Sequence, residues 1–229
     1  MREFRFALKQ TFPIFFTYLF IGIAFGMMMS EAGYAPYWSV LMAVFIYAGS
    51  MQIVMVPLMT AGTPLPALAF MTLFINGRHL FYGIGFIERF RKMGWRYPYM
   101  VLTLTDETYS ILCSVQYEDG LDEQRADFLI SILNQCYWVF GCLLGSCMGK
   151  YLHLSAEGIE FSATAFFLVV VVNQWMQAKN RLPALCGLGC ALLFLLLLGP
   201  DRFLIPALTA ATLVLVLLRD RAERKESAV

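Results

Sequence analysis

Ile75-Asn76-Gly77-Arg78-His79-Leu80-Phe81-Tyr82 sets an amide, a guanidinium and an imidazole inside an apolar run that extends over about 65–86. Similar apolar windows of roughly 17 to 25 residues recur along the chain, each long enough to cross a hydrocarbon core about 30 Å thick as a helix. The runs are continuous rather than alternating, which argues against transmembrane strands. The fold class is therefore an all-α integral membrane protein, a polytopic bundle of about seven to eight transmembrane helices. Polar residues in the middle of such a run need a partner or a task.

Composition agrees: of 229 residues, 59% are hydrophobic and 14% charged, and the mean hydropathy is +0.66, far from soluble averages. The formal net charge of +1 carries no basic patch, so no nucleic-acid partner is expected. Met1-Arg2-Glu3-Phe4-Arg5 leads into an apolar stretch without a small-residue cleavage site, and reads as a retained first helix. Cys113, Cys136, Cys142, Cys147, Cys186 and Cys190 fall in or beside apolar runs with no CxxC spacing, as small reduced side chains. No metal site and no cofactor are expected.

Outward from the opening stretch, the spans are expected at about 11–29, 39–60, 65–86, 99–115, 127–149, 160–177, 183–199 and 202–218. Arg2, Arg5 and Lys9 put the N-terminus in the cytoplasm. Gly22 and Gly26 in the first span, and Gly141, Gly145 and Gly149 in the fifth, form small-residue stripes suited to close helix packing. Tyr47-Ala48-Gly49-Ser50-Met51-Gln52 interrupts the second span and invites a broken helix, which in a membrane is tolerated only where protein or a water-filled cavity satisfies it. Glu88 to Arg96 is the strongest basic cluster and argues for the cytoplasmic face. Three full crossings would place it outside, so either the second or the third run is re-entrant or the charge rule is broken here.

In the fourth run Asp106 and Glu107 sit one to two turns into apolar sequence, where a charge needs a partner. Shifting the chain by about 119 positions superposes Tyr18 on Tyr137, Gly22 on Gly141, Gly26 on Gly145 and Pro64 on Pro183. This suggests one transmembrane transporter domain over 1–229 built from repeat units of about 11–116 and 127–218, with a site at the interface of the repeats.

No HExxH, GxGD or Walker lysine is present, so hydrolytic and ATP-driven chemistry have no support. A channel would show a repeated selectivity element, and none is visible. What remains fits a small zwitterion with an apolar side chain. Its carboxylate suits Arg78 or the backbone N–H groups at Gly49-Ser50. Its ammonium suits Asp106, Glu107 or the amide oxygens of Gln52 and Asn76. Proton coupling falls to His79, Asp106 and Glu107.

Tyr47-Ala48-Gly49-Ser50-Met51-Gln52, Asn76-Gly77-Arg78-His79-Leu80-Phe81-Tyr82-Gly83 and Thr105-Asp106-Glu107-Thr108-Tyr109 resemble the YAGSxQ, NxRHxxYG and TDExY patterns of the AzlC family, the large subunits of bacterial branched-chain amino acid exporters. The likeness covers about residues 10–218. Met51 stands where a small residue is common and Gly77 where a larger apolar one is usual. The resemblance implies an exporter of leucine, isoleucine, valine or methionine in the bacterial inner membrane. It further implies a small AzlD-type membrane subunit as partner and protons as the energy source. The expected substrate-binding residues are Tyr47, Gly49, Ser50, Gln52, Asn76, Arg78 and His79, with His79, Asp106 and Glu107 coupling to protons. A scaffold subunit without its own substrate site, or an ion channel, are the competing readings.

Overall fold

The computed structural model describes residues 2–152, 168, 171, 172, 175, 176, 181–199 and 203–217, and every regular element among them is helical. The expected sixth run, about 160–177, lies largely outside the described residues. The chain divides into two compact units, Met1–Ala163 and Thr164–Val229. In the second, α8 (Leu182–Leu198) packs against α9 (Leu204–Leu217). Pro183 stands in the first turn of α8, where its missing N–H costs nothing, and Gly199 ends the helix at φ +76°.

The first unit is built on α1 (Arg2–Glu31) and α7 (Glu123–Leu152), each 30 residues and thus about 45 Å long. Both are long and apolar enough to cross a membrane by length and composition. They lie side by side and parallel: Tyr18 meets Trp138, Gly22 meets Gly141, Gly26 meets Gly145 and Ser146, and Ser30 meets Gly149. The two small-residue stripes read from sequence thus occupy each other. A Cβ on Gly26 would lie 2.2 Å from the Cys142 carbonyl oxygen, and one on Gly145 2.1 Å from that of Ile23, so backbone touches backbone. Ser146 pins the seam, donating to the Gly26 carbonyl at 3.0 Å and sharing a hydrogen with Ser39 at 2.5 Å.

The second run is two helices, α2 (Pro36–Phe45) and α3 (Gly49–Thr60), so the break expected at Gly49-Ser50 is present. Between them Tyr47 has φ +42°, a left-handed conformation costly for a tyrosine, and it turns the chain back. α2 runs antiparallel to α7, from Ser39 at the level of Ser146 to Val44, whose carbonyl accepts from Gln135 at 3.1 Å. α3 starts against Trp138, halfway along α7.

The direction of α3 follows from the next helix. α4 (Leu65–Arg91) has 27 residues, about 40 Å, and ends with Arg89 on Asp127, at the start of α7. Its own start therefore lies near the far end of α7, and α3, which ends four residues earlier, must run back there. The third run is one unbroken helix, and the interrupted element is the second.

The fourth run, expected as one span, is also two helices. A 3₁₀ turn (Gly94–Arg96) leads into α5 (Tyr97–Leu102), then α6 (Asp106–Ser114). Tyr99 packs on Phe128 and donates to Gln135 at 2.7 Å, and Thr105 reaches Tyr18 at 2.8 Å, so α5 rises from the N-terminal ends of α1 and α7 to their middle. α6 returns, since the Leu112 carbonyl accepts from Arg89 at 3.2 Å. Ala7, Phe86, Phe90, Met93, Met100, Leu104, Ile111, Leu112 and Ile130 form the apolar core of this end. The basic cluster 88–96 thus stands at the same end of the α1–α7 pair as Arg2, Arg5 and Lys9, and α2 and α3 together lead the chain back toward the end of α1 from which α2 departs.

Candidate functional site

The α2–α3 and α5–α6 hairpins enter from opposite ends of the α1–α7 pair and bring their tips to its middle. α3 and α6 both begin there, so two helix N-termini with their partial positive charge stand at mid-depth. Tyr18 joins the two tips. Its ring lies edge-on to Trp138, 5.5 Å between centroids, and its hydroxyl pairs with Thr105 Oγ1 and donates to Glu107 Oε2, both at 2.8 Å.

On the α3 side, Ala48 occupies the N-cap and supplies no side-chain acceptor, which leaves the first N–H groups of the helix to other partners. Gly49 lies against the Trp138 indole, where a Cβ would come within 3.1 Å of the ring. Ser50 follows, half-buried. Gln52 is fully buried and accepts from Trp138 Nε1 at 3.0 Å, while its Nε2 has no hydrogen-bond partner among the described residues. The Tyr47 hydroxyl is likewise buried, beside the hydroxyls of Tyr18 and Thr105. An unpaired buried polar atom costs about 1–3 kcal/mol, so the Gln52 Nε2 is a donor available to a ligand.

On α4 the helix persists through Asn76, His79 and Tyr82, so the three share a face as their spacing requires. That face meets α6: Tyr82 stacks on Tyr109 at 4.6 Å, the His79 ring lies 5.9 Å from that of Tyr82, and His79 Nε2 is 3.6 Å from Asp106 Oδ1. Asn76 Oδ1 is buried with no hydrogen bond. Arg78 belongs to α4, but its side chain lies outside the described residues.

α6 is capped by Thr105, whose hydroxyl accepts from the Thr108 N–H at 3.3 Å. Asp106 and Glu107 occupy its first turn, where the dipole favours negative charge. The two carboxylates diverge, Asp106 toward His79 on α4 and Glu107 toward Tyr18 on α1. Behind them Asn134 donates to Thr108 Oγ1 at 3.0 Å, with its own Oδ1 unpartnered.

The structure therefore joins His79 with Asp106, Glu107 with Tyr18 and Thr105, and Gly49 with Gln52 through Trp138. Sequence reasoning did not reach Tyr18, Thr108 or Trp138 as members of this centre. Tyr18 stood out only in the repeat. Trp138, mid-span rather than in an interfacial belt, was the available signal.

A second polar cluster closes the N-terminal end of the bundle. Arg89 holds Asp127 with two bonds of 2.7 Å, and the Tyr117 hydroxyl bonds to both. Arg89 and Asp127, with Glu88, Lys92 and Glu123, line a cavity of about 330 Å³. Arg89 had been read only as a topogenic charge.

Residues 13–152 match the family model described as AzlC protein. The chain is 38% identical over 227 residues to the branched-chain amino acid transport protein AzlC of Bacillus subtilis, covering 99% of this chain and 89% of that one. It is 36% identical to an uncharacterized membrane protein of Helicobacter pylori strain J99, covering 97% and 100%. It is 27% identical to the inner membrane protein YgaZ of Escherichia coli, covering 90% and 84%. No solved structure matches it.

Proposed function

Because the chain belongs to the AzlC family, we propose that it is a secondary transporter that exports branched-chain or related hydrophobic amino acids across the bacterial inner membrane. The observation that carries this is the meeting of two helix N-termini midway along the α1–α7 pair, with Gln52 Nε2 and Asn76 Oδ1 buried and without a hydrogen bond among the described residues. Such broken helices hold the substrate in many secondary transporters, their N-termini offered to anionic groups.

In this reading α1, α4 and α7 cross the membrane, while α2–α3 and α5–α6 are re-entrant hairpins from opposite faces. In the second unit α8 and α9 are further apolar runs. The N-terminus and the 88–96 cluster face the cytoplasm. The contacts of Gly22 with Gly141 and Gly26 with Gly145 support repeats over about 11–116 and 127–218.

Substrate carboxylate binds at Gly49, Ser50 and Gln52 with Arg78, and the ammonium at Asn76 and the Asp106 carboxylate, with Tyr47 against the bound molecule. His79 and Asp106 form the proton-coupling pair, assisted by Glu107. Transport needs a small AzlD-type membrane subunit. The relatives' names speak of transport and membrane, which fits a permease rather than an enzyme.

The test is efflux of leucine from loaded cells that express this chain with and without the small subunit. Efflux that needs both, and that falls in Arg78→Ala and Asp106→Asn, supports the assignment. Wild-type rates in both variants overturn the site, and current independent of amino acid points to a channel. Partner stability without any efflux points to a scaffold.

A further inference from the structure

We propose that Trp138 is a positioning residue that makes Gln52 a fixed hydrogen-bond donor, so that the first turn of α3 selects a carboxylate and rejects the matching carboxamide. This rests on the transport reading of the same site and names which chemical group the α3 end takes. An indole N–H can only donate. Its 3.0 Å bond to Gln52 therefore must fall on the amide oxygen, which fixes the orientation of an amide that could otherwise flip.

Gln52 is then left with its NH₂ group to offer, fully buried and without a hydrogen-bond partner among the described residues. It sits in the first turn of a 12-residue helix whose N-cap is an alanine, so the neighbouring backbone N–H groups and the dipole add to the same donor character. A carboxylate meets all of these. A carboxamide presents one acceptor and one donor, and its NH₂ would face the Gln52 NH₂.

Trp138 is itself immobile. It is 3% exposed, stacked on Phe25 at 6.3 Å and set edge-on to Tyr18 at 5.5 Å, with Gly49 against its outer edge. The ring cannot turn away without displacing Phe25 and Tyr18 of α1, and the Gln52 orientation is held by that packing.

The experiment compares leucine with leucinamide, measured by equilibrium binding to the purified full chain with its small subunit and separately by transport in proteoliposomes. Trp138→Phe keeps the ring stack and removes the N–H. The expected result is a half-saturation for leucine raised about tenfold, the scale of one hydrogen bond to a charged group, with leucinamide unchanged or improved and the maximal rate retained. Gln52→Leu is expected to give the same loss, and the double variant no further loss.

Equal changes for acid and amide, or no change for either, overturn the proposal, because a merely structural role would move both together. Should the wild-type protein bind no leucine, the export reading fails, and the donor claim is read instead from isovalerate against isovaleramide. Absence of binding by both, or the same affinity for both, overturns it as well. Should Trp138→Phe fail to fold, Gln52→Leu alone carries the acid–amide comparison with the same two outcomes.

Discussion

His79 Nε2 lies 3.6 Å from Asp106 Oδ1, the α4 and α6 groups meeting at partial exposure of 26% and 36%. A histidine and a carboxylate at this distance form an ion pair only when the ring is protonated, so proton uptake changes how tightly α6 is held to α4. Asp106→Asn removes the charge and keeps the shape. Leucine counterflow is expected to persist in this variant, while stimulation of efflux by an imposed pH gradient falls to the level seen without one. Retained stimulation would move coupling elsewhere. Glu107→Gln is expected to do less, because the Tyr18 hydroxyl can still donate to the amide oxygen.

Asp127 is a buried carboxylate whose side chain is 1% exposed and which Arg89 holds with two bonds. Removing one partner of such a pair leaves an uncompensated charge and costs about 3–5 kcal/mol. Arg89→Ala should therefore unfold at markedly lower temperature in detergent, with most of the loss recovered in Arg89→Ala/Asp127→Ala. Arg89→Lys should fall between, since a lysine cannot reproduce the fork geometry. Equal stability of Arg89→Ala and wild type would show that the pair contributes little.

How far these features were legible in sequence depends on the range of the interaction that fixes them. Gly49-Ser50 announced the break in the second run because glycine and serine weaken a helix locally, and Asn76, His79 and Tyr82 announced their shared face through spacing alone. The split of the fourth run carried only the N-cap signature of Thr105 before Asp106-Glu107, while the second partner of that hydroxyl, Tyr18, lies 87 positions away. Return of the hairpins is likewise invisible to hydropathy, since a re-entrant pair and a crossing helix have similar apolar content. The misplaced basic cluster at 88–96 was the one trace of it. Trp138 and Gln52, 86 positions apart, meet only in the folded bundle.

The glycine contacts between α1 and α7 predict a graded response to added methyl groups. Gly26→Ala and Gly145→Ala each place a Cβ within 2.2 Å of a backbone carbonyl oxygen, which cannot yield as a side chain would. Overpacking of this kind costs about 1–3 kcal/mol, and the backbone contact puts both at the upper end. Gly83→Ala in α4 meets nothing within 4 Å and should be neutral or stabilising by up to about 1 kcal/mol through helix propensity. Thermal unfolding of the three purified variants orders them, and a Gly26→Ala protein as stable as Gly83→Ala would refute the close α1–α7 seam.

Opposed re-entrant hairpins make a prediction that no arrangement of simple crossings shares. The turn after α3 lies at the far end of α1 from the N-terminus, whereas the turn after α4 lies at the near end, with Trp95 79% exposed against Phe128. Single cysteines at Ala61 and Trp95, in a background where the six native cysteines are replaced, read the two faces with a membrane-impermeant maleimide. Ala61→Cys is expected to react in intact cells and Trp95→Cys only after permeabilisation. Were α2 and α3 together a full crossing, Ala61 would share the cytoplasmic face with the N-terminus, and α4, about 40 Å long, would have to carry the basic cluster outside. Labelling of Trp95→Cys in intact cells would therefore reverse the assignment of both hairpins and remove the mid-depth meeting of the α3 and α6 N-termini on which the transport site is built.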